Sequence, residues 1–92
     1  MITIQTVSVN DPMTFTVTVQ EAGSESTHRV TMTAQTYQDL AHGKAEPESC
    51  IEAAFKFLLD REPKESILAS FDITLISTYF PEFKQSFSSY LK

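Results

Sequence analysis

Ninety-two residues suffice for one hydrophobic core and not for two, because a chain of this length buries only about 60% of its unfolded surface on folding. With 41% hydrophobic and 21% charged residues, seven Phe and three Tyr, the composition excludes a disordered chain, and no run approaches the roughly 20 apolar residues that a membrane-spanning helix needs. The net charge of −5, with the seven basic residues scattered along the chain rather than clustered, disfavours direct nucleic-acid binding, which needs concentrated positive charge.

The first strand begins at Ile2 and Ile4 in one phase and continues at Val7 and Val9 in the other, so a β-bulge or a break near Gln5-Thr6 is needed to keep both pairs on the core side. Asn10-Asp11-Pro12 is a turn. In Met13 to Gln20 apolar residues alternate with Thr, the pattern of a strand with one buried and one wet face. A polar loop around Gly23 leads to a third strand in which Val30 and Met32 share a face with His28. Three strands joined in this way make an antiparallel meander.

The helical period takes over at Thr33, an N-cap for the short stripe Ala34, Tyr37, Leu40 and Ala41, which ends at Gly43. Pro47 opens the central helix, with Glu48 in its first turn. Its stripe of Ile51, Ala54, Phe55, Leu58 and Leu59 is widened by Cys50, Ala53 and Phe57, and such breadth predicts packing on more than one side. Pro63 makes a corner, after which Lys64 to Phe71 is expected to form another short helical piece. Asp72 is expected to cap a helix over residues 73–79, and Pro81 to open a last helix carrying Phe83, Phe87, Tyr90 and Leu91. The expectation is one α+β domain over residues 1–92: an N-terminal three-stranded antiparallel meander followed by three to five short helices packed on one face.

The sequence assigns no catalytic, cofactor-binding or metal-ligating residue. Cys50 is the candidate reactive thiol, because the fourth position of a helix lies near the positive end of its dipole. The plainer expectation is a small buried residue beside Ile51. His28 is read as a satisfied histidine on a strand face, and His42 as a side chain suited to a helix C-terminus. The acids Glu46, Glu48, Glu52, Asp60, Glu62 and Glu65 read as a solvated charged face. The C-terminal aromatics are harder to place, since a three-stranded meander that already covers Ile51, Phe55 and Leu58 has little area left. Phe83, Phe87 and Tyr90 are therefore the candidate interface.

The stretches Glu52-Ala53-Ala54-Phe55 to Ile67-Leu68 and Phe71-Asp72-Ile73 to Glu82-Phe83 resemble a group of small uncharacterised bacterial proteins, a resemblance that implies no activity, cofactor or site residue. The strand-then-helix order also resembles, at the level of fold alone, antitoxins of the HicB type. The expected function is non-catalytic: association with a second copy or another protein, in a bacterial cytosol or similar reducing compartment, with no cofactor, no direct nucleic-acid contact and no membrane. The alternatives are a small enzyme or redox protein using Cys50 or a His, and an antitoxin-like regulatory component acting through a basic partner.

Overall fold

The computed structural model describes residues 1–91. The elements run β1 (Ile2–Ser8), β2 (Met13–Glu21), β3 (Ser24–Met32), α1 (Ala34–Ala41), α2 (Pro47–Leu59), a single 3-10 turn (Lys64–Ser66), β4 (Ser70–Asp72), α3 (Leu75–Tyr79) and α4 (Phe83–Tyr90). This is the α+β arrangement that the patterning predicts, with a β1-β2-β3 antiparallel meander before the helices. The cross-strand register places Phe15 opposite Val30 and Val17 between Ile4 and His28, so one face of the sheet is apolar. The other carries Thr14, Thr16, Thr18, Thr27 and Thr31, since Thr is the polar residue whose branched side chain best suits a strand.

β1 departs from expectation at its end. The register shift falls between Thr6 and Ser8, making Val7 the extra residue, and it does not turn Val7 and Val9 inward. They stay 53% and 78% exposed. A bulge shifts the phase of the residues after it, but β2 runs out at Met13 and offers Val9 no partner.

The second departure is β4. The spacing predicts helix over residues 64–71; only Lys64–Ser66 form a 3-10 turn, and Ser70–Asp72 add a fourth strand parallel to β3, in sheet order β1-β2-β3-β4. Arg29 donates its N–H to the Ala69 carbonyl at 2.7 Å, and Ile73 donates to Thr31 at 2.9 Å. A three-residue strand is too short to show a period of two, while Ile67, Leu68 and Phe71 happen to fit a helical spacing. The Asp72 carboxylate closes the corner, accepting from Thr31 Oγ1 at 2.7 Å and from Thr74 N and Oγ1 at 3.0 and 2.7 Å. Burial pushes this carboxyl up, but the bonds from Thr31 and Thr74 outweigh it and hold it below the usual aspartate range.

Local helix chemistry behaves as expected at α1 and α2. Thr33 Oγ1 accepts from Thr36 N at 3.1 Å as the N-cap of α1, and the chain leaves that helix through left-handed His42 and Gly43. Pro47 opens α2. α4 starts at Phe83, two residues after Pro81.

α2 organises the core, with Cys50, Ile51, Ala53, Ala54, Phe55, Phe57 and Leu58 all buried. Phe55 faces the sheet side, 5.5 Å from the His28 ring and 6.1 Å from Phe71. Phe57 points the other way, with ring centroids 5.0 Å from Phe83 and 5.8 Å from both Phe80 and Tyr90. The second buried side of α2 therefore covers α4, and this corrects the expected interface: Phe83 and Phe87 are 1% and 2% exposed within the single chain. The sheet is not required to cover them. Tyr90 is half-buried, and its hydroxyl donates to Asp60 Oδ2 at 2.5 Å. The Arg61 guanidinium lies 3.6 Å over the Phe57 ring and donates to the Phe57 carbonyl, Tyr90 Oη and Glu82, closing the seam between α2 and α4.

Candidate functional site

Where the chain turns from α2 through the 3-10 turn into β4 and α3, the apolar side chains outnumber the surfaces available to cover them. Leu58, Ile67 and Ile76 are buried there and form the floor of a cleft of about 430 Å³. Leu68, Phe71, Leu75, Tyr79 and Phe80 complete its apolar lining, with Glu62 and Ser66 as its polar members. Leu68 and Tyr79 are 48% and 65% exposed, two of the most exposed large hydrophobic residues of the chain. β4 produces this arrangement: pairing Ser70–Asp72 with β3 draws the backbone taut against the sheet, so Ile67 turns inward and the adjacent Leu68 outward. The Glu62 carboxylate has no hydrogen bond and no ion pair among the described residues. The cleft can thus take apolar side chains, and its one anionic group is free to meet a cation.

A second cluster lies under the β2–β3 hairpin, where Ser24, Ser26 and His28 alternate onto the helix-facing side of β3. His28 is 3% exposed, with Nδ1 2.8 Å from the Leu68 carbonyl and Nε2 2.8 Å from Ser26 Oγ. Only a protonated Nδ1 can serve a carbonyl, so in the neutral ring Nε2 accepts the Ser26 hydroxyl proton. Next to it, buried Lys64 donates to Ser24 Oγ at 2.5 Å and to the Glu65 carboxylate. This bond to Lys64 holds the Glu65 carboxyl below its ordinary range. The two polar pairs join the hairpin to the 3-10 turn and satisfy a histidine and a lysine that burial would otherwise leave unpaired.

The residues singled out from sequence are dispersed. Cys50 is fully buried, and burial pushes its thiol up to about 11, opposite to the lowering that the helix dipole suggested. A thiol held there is protonated at neutral pH and is a poor nucleophile, which corrects its candidacy as a reactive group. His42 is exposed beyond α1. Of the acids, Glu48 accepts from Thr6, Glu52 pairs with Lys56 at 3.9 Å, Asp60 accepts from Tyr90, and Glu62 lines the cleft. No group of three or more His, Cys, Asp or Glu among the described residues could hold a metal ion, and no described helix is long and apolar enough to cross a membrane.

Sequence reasoning missed the cleft, because nothing local distinguishes Leu68 and Tyr79 from core residues. The Ser26–His28 pair did carry a signal, the Ser-x-His spacing in phase with Val30 and Met32. No family model matches the chain, and no curated protein and no solved structure matches it.

Proposed function

We propose that the chain is a non-catalytic association protein whose cleft between the 3-10 turn, β4 and α3 receives an apolar segment of another polypeptide bearing a basic residue. The observation that carries this reading is the exposure of Leu68 and Tyr79 around a preformed apolar floor, with the Glu62 carboxylate, unpaired among the described residues, at hand. Aromatic and aliphatic side chains around a concave floor are the usual anchoring surface of a polypeptide partner. A cation is favoured over an anion by Glu62 and by the net charge of −5. The proposal places the protein in a reducing cytosolic compartment of a bacterium, where its one cysteine stays a free thiol. It also accommodates a regulatory component acting through a basic partner.

The test is an NMR titration with two helical peptides of equal leucine content, one carrying Lys and one Glu at the polar positions. The Lys peptide should shift the amides of residues 66–80 and bind at least tenfold more tightly than the Glu peptide. Glu62→Gln should shrink that preference, and Leu68→Asp with Tyr79→Ser should abolish binding. Peptides that do not bind, or that shift amides elsewhere, would refute the reading.

A second reading keeps the enzymatic alternative and moves its nucleophile from Cys50 to Ser26. The Ser26 hydroxyl already bonds the imidazole nitrogen that would take its proton, and the Leu68 carbonyl orients the ring. A fluorophosphonate probe should then add one phosphonyl group to the wild-type chain and none to Ser26→Ala. If intact-mass spectrometry finds no adduct after hours at pH 8, Ser26 only satisfies His28.

A further inference from the structure

At the opposite end of the sheet from the cleft, β1 has β2 as its only strand neighbour among the described residues. Which of its backbone groups are left over is fixed by one pair. The Met1 amine donates to the Gln20 carbonyl at 2.7 Å, and Gln20 N–H returns a bond to the Met1 carbonyl at 2.9 Å. Bonded and non-bonded pairs alternate along an antiparallel ladder. With the register Ile2 to Val19, Ile4 to Val17 and Thr6 to Phe15, the N–H and C=O groups of Ile2, Ile4 and Thr6 therefore point away from β2. The same alternation holds across the sheet, where Arg29 and Thr31 turn their groups outward to the β4 segment.

Exposed edges invite pairing, and sheets usually blunt them with charge, proline or very short strands. β4 is blunted, with three residues ending in Asp72. The run Ile2–Ser8 has no charged residue and no proline. Its bulge at Val7 ends the regular edge at Thr6, so the usable stretch is centred on Ile4.

We infer that β1 pairs antiparallel with β1 of a second copy of this chain, about a two-fold axis at Ile4. This register uses every outward group: Ile4 bonds Ile4 of the copy and Ile2 bonds Thr6 of the copy, making six backbone hydrogen bonds and a continuous eight-stranded sheet. It also covers half-buried Ile2 and Ile4, which lie on the helix-facing side. A second copy suits this edge because a two-fold contact sets like against like. In a chain of net charge −5 that is tolerable only where the segment is neutral, as Ile2–Ser8 is. The Glu48 carboxylate is held by Thr6 at the end of the paired stretch, about 13 Å along the strand from its symmetry mate at roughly 3.3 Å per residue. That exceeds the screening length of about 8–10 Å in ordinary salt. The dimer presents the two clefts at its far ends, although the pairing does not depend on what the clefts bind.

The register sets Thr3 opposite Gln5 of the copy on the exposed Thr-rich face, and this makes the inference testable without touching the core. Light scattering on the wild-type chain should move from 10.3 kDa toward twice that mass as concentration rises. Thr3→Lys with Gln5→Lys sets ammonium groups against ammonium groups and should hold the chain at monomer mass, with an unchanged circular dichroism spectrum. Thr3→Glu with Gln5→Lys makes the same two contacts attractive and should restore the dimer. Hydrogen exchange supplies a reading independent of variants: the Ile4 and Thr6 amides should slow at least tenfold between dilute and concentrated wild-type protein. A monomer mass at all concentrations, a dimer indifferent to the paired lysines, failure of the Glu/Lys pair to restore it, or concentration-independent exchange at Ile4 and Thr6 would each overturn the inference.

Discussion

Phe57→Ala should lose a large part of the stability of the fold. The ring is fully buried, stands edge-on to Phe80, Phe83 and Tyr90, and carries the Arg61 guanidinium on its face. Truncating a buried Phe costs about 3–5 kcal/mol through lost transfer energy and the cavity left behind. Aromatic pairs contribute roughly 0.5–1.5 kcal/mol each beyond their area. A domain of this size has about 5–15 kcal/mol in total. Urea denaturation followed by circular dichroism should therefore show a loss of at least ~3 kcal/mol, or no folded baseline. A loss below ~1 kcal/mol would mean that α4 does not depend on α2 for its cover.

Phe87→Glu should fail to fold. The side chain is 2% exposed, with its ring 5.5 Å from Phe83, and a carboxylate in its place would lie in the core without a cation to meet it. Phe87→Leu keeps the apolar contact and should retain the fold at roughly 1–1.5 kcal/mol. The two variants separate core from interface, because an interface residue gives a folded Phe87→Glu of smaller mass. Near-ultraviolet circular dichroism and light scattering read the two properties side by side. A Phe87→Glu chain with native spectra would return α4 to the surface.

Elements set by neighbouring residues are legible in the sequence. The alternation of Met13 to Gln20, the cap at Thr33 and the proline at the start of α2 are local physics, and each lies where the pattern puts it. The breadth of the α2 stripe announces two packing surfaces, and the helix has two, with Phe55 toward the sheet and Phe57 toward α4. The partners of those surfaces carry no local signal. Phe83 and Phe87 read as surplus only while the second side of α2 is left without a partner.

Residues 64–71 show the limit most clearly. Ile67, Leu68 and Phe71 fit a helical spacing, and the sequence alone determined that this segment is apolar and enters from a proline corner. What the tertiary structure decided is that β3 had an open edge for Ser70–Asp72 to join, and three backbone hydrogen-bonding residues against a preformed strand outweigh a weak helical preference. That one non-local pairing buries Ile67, leaves Leu68 in the cleft and brings the Leu68 carbonyl to His28, a residue 40 positions earlier in the chain. Strand alternation, caps and helix stripes are properties of residues within one turn of each other, so sequence states them; which apolar face is left uncovered depends on the area of every other face, so only the assembled fold does.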